Sequence, residues 1–156
     1  MQDMRKDVTM LTLIFVLFLL VIAAQATSTV VSSYDASNAS ETEVWAQVQS
    51  YKARTSKPYI YDQTACEYAN SRLEDIKESF NHNKFRITSK DFMDAHSLRG
   101  IGENLYERPR LMFIRYAALE EWLKSPSHKT NLDDPDFTHS CIKCDSFGCV
   151  QIFTSY

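Results

Sequence analysis

The stretch from residue 102 to residue 132 constrains the fold more than any other part of the chain. It opens with Gly-Glu-Asn-Leu, and apolar residues then recur at intervals of three and four, which predicts an amphipathic helix starting near Pro109. Pro126 disfavours helical angles at the residue before it, so His128 should lie on a loop or in the first turn of a short helix. The sequence thus places an acid, Glu103, before a helix and an imidazole after it.

Repeating patterns predict the elements around this stretch. A capping-box spacing predicts a first helix over 41–53. A second helix of about 18 residues should follow its N-cap Asp62, where apolar residues again recur at intervals of three and four, and 89–95 predicts a short third helix. Beyond these helices the repeat of apolar residues changes to two. This pattern predicts an antiparallel hairpin formed by residues 138–144 and 149–156. The chain is therefore predicted to be of the α+β class.

The first 26 residues have the three parts of a secretory signal peptide. Arg5 and Lys6 precede an uncharged apolar run, and Ala-Gln-Ala supplies an exit of small residues that predicts cleavage after Ala26. The alternative is an uncleaved anchor, although a run of about 17 residues lies at the lower limit for a bilayer span. Residues 27–41 predict a flexible Ser/Thr-rich linker and residues 42–156 a single domain. Either interpretation places this domain outside the cytoplasm, secreted or associated with the cell envelope.

The charge of the chain argues against a nucleic-acid partner. The formal net charge is −3, and the charged side chains of the leader sum to zero, so no basic excess remains after cleavage. A basic patch is the usual footprint of nucleic-acid binding. We expect contact with a membrane only through an uncleaved N-terminal segment. The remaining residues, about 130, suffice for one domain with a core, which we expect to be a monomer.

Four cysteines in an exported chain favour disulfides. Cys144 and Cys149 flank the predicted hairpin turn and should lie opposite each other, which would leave Cys66 to pair with Cys141. Four cysteines permit three pairings, and the sequence alone does not choose among them. The competing interpretation is a zinc site formed by Cys141, Cys144, Cys149 and His139, which would leave Cys66 over.

Several words of this sequence, in this order, resemble the CAP superfamily. This superfamily, also called SCP-like, groups cysteine-rich secretory proteins, antigen 5 and pathogenesis-related 1 proteins. The resemblance rests on Gly-Glu-Asn-Leu at Gly102, on Trp-Leu-Lys-Ser-Pro-Ser-His-Lys-Thr-Asn-Leu at Trp122, and on Pro-Asp-Phe-Thr at Pro135. It is strongest to the short, bacterial, extracellular branch and covers roughly residues 44–153.

The resemblance implies both a fold and a site. The fold would be a three-layer α-β-α sandwich with a small antiparallel sheet that ends in the C-terminal hairpin. The site would be a cleft shared by Glu103, His128 and the histidine of a Phe-Asn-His word, His82, with Asn131 as a further ligand-binding residue. His96 competes with His82 for the place of the first histidine, but its sequence context matches the family less well.

The fuller eukaryotic cleft carries two histidines and two glutamates, and the position of its second glutamate is Ser125 here. Three of the four groups therefore remain, namely His82, Glu103 and His128. Two imidazoles and one carboxylate can hold Zn²⁺ or another divalent metal, with water completing the coordination shell.

Two classes of function follow from these residues. The first is a non-enzymatic extracellular module that binds a lipid, a peptide or a component of the cell envelope. The second is a hydrolase in which Glu103 orients His128, although the chain has no Gly-x-Ser-x-Gly elbow to supply a nucleophile. Taken alone, an acid and a histidine are also typical of a structural hydrogen bond. We favour the binding module.

Overall fold

The computed structural model describes residues 36–108 and 117–156. Five helices and four strands lie in these two ranges, and residues Ser37–Tyr156 form one compact unit. In chain order they are α1 (Ala36–Thr55), β1 (Ile60–Tyr61), α2 (Gln63–Glu78), α3 (Asn83–His96), β2 (Gly100–Glu107), α4 (Ala118–Lys124), α5 (Pro126–Asp133), β3 (His139–Cys144) and β4 (Gly148–Ser155). The α+β class is confirmed. Within the described ranges no helix has the length and apolar character needed to cross a bilayer, and the predicted leader lies outside them.

The four strands form one sheet in the order β1-β3-β4-β2. The predicted hairpin is confirmed, because β3 and β4 pair antiparallel with Cys144 opposite Cys149. Strand β2 pairs antiparallel with the other side of β4, and β1 pairs parallel with β3. The predicted small antiparallel sheet is present as β3, β4 and β2, and the two-residue strand β1 adds a parallel pair that makes the sheet mixed. The parallel pair is allowed because several helices lie between β1 and β3 and provide the long connection that it needs.

Alternate residues of strand β4 belong to two different hydrophobic clusters. Val150 and Ile152 belong to a cluster with residues of α2, whereas Cys149 and Phe153 belong to one with residues of α1, α4 and α5. Since successive strand residues point to opposite faces, the two clusters lie on the two faces of the sheet. Helices contribute to both, which fits the sandwich that the resemblance implies; the layering itself stays a prediction.

The first three helices match the sequence patterns in type and differ in their limits. Helix α1 begins at Ala36, so 36–41, which had been placed in the linker, are helical, and the capping-box residues lie inside the helix. Helix α2 follows its predicted N-cap, since the side chain of Asp62 accepts a hydrogen bond from the backbone N–H of Thr64 at 2.9 Å. Helix α3 runs over Asn83–His96 and is twice as long as the predicted 89–95.

The long helix predicted after Pro109 lies partly outside the described residues, which resume at residue 117. Helix α4 is its final part, with Trp122 fully buried. Helix α5 begins at Pro126. Proline suits the first turn of a helix, because backbone N–H groups there have no partner within the helix. His128 therefore lies in the first turn of a short helix, as predicted.

Both preferred disulfides are present. Cys66 of α2 is bonded to Cys141 of β3, and Cys144 is bonded to Cys149 across the hairpin. The competing zinc site of Cys141, Cys144, Cys149 and His139 was wrong, because a sulfur bound in a disulfide is not available as a thiolate ligand.

Candidate functional site

The candidate site is built on the edge strand β2, where two consecutive residues point to opposite faces of the sheet. Glu103 and Asn104 are both buried, at 4% and 0% exposure. Glu103 contacts residues of α2 and of the segment before α3, whereas Asn104 contacts residues of α5. The Gly-Glu-Asn word thus joins elements from both sides of β2.

Glu103 is held by a buried arginine and a histidine. Arg72 Nε donates to Glu103 Oε2 at 2.6 Å, and the side chains of both residues are only 1% exposed. His82 Nδ1 lies 2.8 Å from Glu103 Oε1. Because an ionised carboxylate only accepts hydrogen bonds, Nδ1 carries the proton and the other ring nitrogen of neutral His82 is an acceptor. Both oxygens of Glu103 are therefore occupied.

His128 completes the group from the other side of β2. Its Nε2 atom lies 3.5 Å from Nε2 of His82, and the two ring centroids are 5.6 Å apart. Burial lowers the pKa of His128, and the neighbouring His82 lowers it further, while Glu103 acts in the opposite direction. Both imidazoles are half-buried.

Asn131, the fourth predicted residue, contacts the strand and not the imidazoles. Its Nδ2 donates to the backbone carbonyl of Glu103 at 3.2 Å and to Oδ1 of Asn104 at 2.9 Å. Asn104 Nδ2 in turn donates to the backbone carbonyl of His128 at 3.1 Å. These two amides attach α5 to the edge of β2, so Asn131 acts on the structure of the site.

Arg72 is the residue that sequence reasoning missed. It is not among the predicted site residues, yet it is 1% exposed and also contacts Asp75 and the backbone carbonyl of Asn81. A signal was present, because Arg72 lies three residues after Ala69 and four residues before Ile76, on the face that α2 buries. His96, the competing histidine, is exposed at the end of α3 and contacts neither Glu103 nor His128 among the hydrogen bonds of the described residues.

The three predicted metal ligands are close together but are not arranged as a three-ligand site. No group of three or more histidine, cysteine or acidic side chains in 36–108 and 117–156 has a geometry that could hold a metal ion. Glu103 is unsuitable because Arg72 and His82 occupy its oxygens. The two facing Nε2 atoms do fit, since ligands at the usual Zn–N distance in a tetrahedral shell lie about 3.3 Å apart. Glu103 would then hold the other ring nitrogen of His82, Nδ1, as carboxylates commonly do for metal-binding histidines.

The predicted cleft around these residues stays a prediction. Two surface cavities elsewhere among the described residues have volumes of about 540 and 380 Å³, and their linings do not include His82, Glu103 or His128. Ser125, at the place of the missing glutamate, has its hydroxyl 3.3 Å from that of Ser127.

Comparison with known proteins gives structural relatives only. Neither a protein-family model nor a curated protein sequence matches the chain. Among solved structures, an extracellular SCP-domain protein from Bacillus anthracis superposes with a TM-score of 0.65 at 20% identity, over 77% of this chain and 41% of that one. A cysteine-rich secretory protein from Staphylococcus aureus gives a TM-score of 0.62 at 12% identity, over 79% of this chain and 41% of that one.

A third solved structure, an outer surface protein from Borrelia burgdorferi, gives a TM-score of 0.55 at 21% identity and covers 73% of this chain and 90% of that one. This chain thus spans less than half the length of the Bacillus and Staphylococcus proteins. The Bacillus and Staphylococcus structures carry the SCP name or that of the cysteine-rich secretory proteins. The chain therefore has the SCP-like fold that its resemblance to the CAP superfamily implied.

Proposed function

We propose that this protein is an extracellular SCP-like binding module and that the His82–His128 pair is where it holds its ligand. The location is supported by the leader-like N-terminus and by structural relatives that are described as extracellular or outer surface proteins. The ligand is a peptide, a lipid or a component of the cell envelope.

The ion pair between Arg72 and Glu103 is the observation that carries this proposal. A general base must reach the proton that it removes, within hydrogen-bond distance or through one water. Glu103 is 4% exposed, and Arg72 and His82 occupy its oxygens. The carboxylate therefore serves to fix His82 and not to act on a substrate.

The hydrolase alternative required Glu103 to orient His128. Glu103 contacts His82 instead, and His82 lies between Glu103 and His128. A catalytic histidine normally has its second ring nitrogen held by an acid or a carbonyl. Among the hydrogen bonds of the described residues, His128 makes its side-chain contact with His82 alone. The geometry therefore argues against the predicted hydrolase, in which Glu103 orients His128.

The donors of the pair indicate what it can bind. Two imidazole nitrogens that face each other at 3.5 Å suit a divalent cation such as Zn²⁺. When bound, such a cation would leave coordination positions for donor atoms of a peptide or envelope ligand. His82 and His128 would hold it, Glu103 would orient His82, and Arg72 would hold Glu103.

Calorimetric titration with Zn²⁺ tests the cation-binding part of the proposal. We expect wild type to bind one equivalent, and His82→Ala and His128→Ala to weaken binding about tenfold or more, because each removes one of two ligands. His96→Ala is the matched control, since His96 is exposed at the end of α3, and it should bind as wild type does. Absence of heat with wild type, or equal weakening by all three variants, would contradict a cation site at this pair.

A panel of ester, peptide and glycan substrates tests the alternative. We expect no turnover by wild type. Turnover that His128→Ala abolishes while the fold persists would overturn the non-enzymatic assignment, whatever the result of the zinc titration.

A further inference from the structure

Helix α5, which carries His128, has little apolar anchorage. It has eight residues, and Leu132 is the one that is buried. A helix of two turns is not stable by itself in water, because helix formation pays for nucleation before it gains from propagation. The position of His128 therefore depends on what holds α5 against its neighbours.

A buried lysine holds the C-terminal end of α5. Lys52 of α1 is 2% exposed, and its Nζ donates to the backbone carbonyls of Leu132 at 3.0 Å and Asp134 at 2.8 Å. The hydroxyl of Tyr59 donates to the carbonyl of Leu132 at 2.9 Å. The last carbonyls of a helix lack partners within it, and a positive charge is favourable at that end. Burying an ammonium group is costly unless it is bonded, and the end of α5 supplies the bonds.

A buried amide holds the N-terminal half of α5. Asn104 is fully buried, and its Nδ2 donates to the backbone carbonyl of His128 itself. Its Oδ1 accepts from Asn131 one turn further along the helix. Asn104 is adjacent in the chain to Glu103, which orients His82 from the other face of β2. One short segment of β2 therefore fixes both imidazoles.

We propose that Lys52 and Asn104 are positioning residues that hold the two ends of α5 and so keep His128 facing His82. The functional meaning of this geometry rests on the proposed role of the histidine pair. Both side chains are buried, and each acts through the backbone of α5. Loss of either should free α5 locally while the core contacts of the rest of the domain remain.

The reactivity of each histidine towards diethyl pyrocarbonate, mapped by mass spectrometry, tests this proposal without any ligand. We expect Lys52→Met and Asn104→Leu to raise the acylation rate of His128 about fivefold or more, since each removes hydrogen bonds that oppose opening of α5. The rates of His96 and His139 should stay within about twofold of wild type. Lys52→Arg keeps a charged donor and should restore a rate close to that of wild type.

Lys57→Met is the matched control, because Lys57 is an exposed lysine close to Lys52 in the chain. It should leave all four rates unchanged. An unchanged His128 rate in both anchor variants would overturn the proposal. An equal rise at all four histidines would also overturn it, since general unfolding would then explain the effect. Failure of wild type to bind Zn²⁺ would count against the proposed function alone, because acylation does not depend on the metal.

Discussion

At the scale of single residues, Arg72 decides what the acid of the site can do. Its guanidinium reaches Glu103, Asp75 and the carbonyl of Asn81, so one buried cation joins β2 to α2 and to the segment before α3. Burying charges costs free energy that an ion pair offsets only when its geometry is good. Removing one member of the ion pair should therefore lower the free energy of unfolding more than removing both charges.

This sensitivity gives a prediction that does not depend on any ligand. Arg72→Met should lower the free energy of unfolding by about 3–5 kcal/mol, because it leaves Glu103 buried without its cation. Adding Glu103→Gln should recover part of that loss, although Glu103→Gln alone is destabilising. Denaturant unfolding of the four proteins in this double-mutant cycle measures the coupling. A double variant less stable than Arg72→Met would show that the ion pair is not the reason for the loss.

Gly102 is a second residue whose identity the structure explains. A Cβ atom there would lie 2.9 Å from Cε2 of Phe137, whose ring is stacked on Phe153 with centroids 5.4 Å apart, so this ring would have to shift. Gly102→Ala should therefore cost about 1–3 kcal/mol of unfolding free energy. Phe137→Leu is expected to relieve the clash when both changes are combined. Thermal unfolding of the two single variants and the double variant tests this expectation. Losses of stability that simply add in the double variant would argue against a clash between residues 102 and 137.

At the scale of elements, the sequence predicted what is periodic and missed what depends on tertiary contacts. Helix α2 and the hairpin follow from spacing and from turn residues, and both are present. The second helix, predicted to extend about 18 residues beyond Asp62, ends earlier at Glu78, and Phe80 after it is 38% exposed. The parallel strand β1 was not predicted as part of the sheet, because two residues carry no measurable period.

The site shows the same division. Glu103, His82 and His128 could be named from sequence words, and the structure brings them together. That Glu103 is paired with Arg72, and so is not available as a metal ligand, follows only from how α2 packs against β2. Spacing along one element does not report which residue of another element it will meet.

The N-terminus of α2 gives a prediction about pH. Burial would raise the pKa of Asp62, but hydrogen bonds from Thr154, Tyr156 and the backbone N–H of Thr64 outweigh it, so its pKa lies below the ordinary value of 3.8. A depressed pKa means that the stabilisation is present above about pH 4 and is lost as the pH falls through the folded-state value.

Asp62→Asn isolates this effect, because asparagine is an equally good N-cap but cannot titrate. Wild type should exceed Asp62→Asn in unfolding free energy by about 1 kcal/mol near neutral pH, and the difference should vanish in acid. Urea unfolding at a series of pH values measures it. A difference that is independent of pH would mean that the charge of Asp62 does not contribute.

At the scale of the whole molecule, the two disulfides should differ in what they contribute. Cys66 and Cys141 are 75 residues apart in the chain and join α2 to the sheet, whereas Cys144 and Cys149 are 5 apart and join strands that the hairpin already pairs. If a disulfide acts mainly by restricting the unfolded chain, the longer loop contributes more. The paired change of Cys66 and Cys141 to alanine should therefore cost about 4 kcal/mol, and that of Cys144 and Cys149 about 2 kcal/mol. Denaturant unfolding of the two double variants under oxidising conditions compares them directly. A larger loss of unfolding free energy on removal of the Cys144–Cys149 disulfide would show that its native contacts, and not chain entropy, dominate its effect.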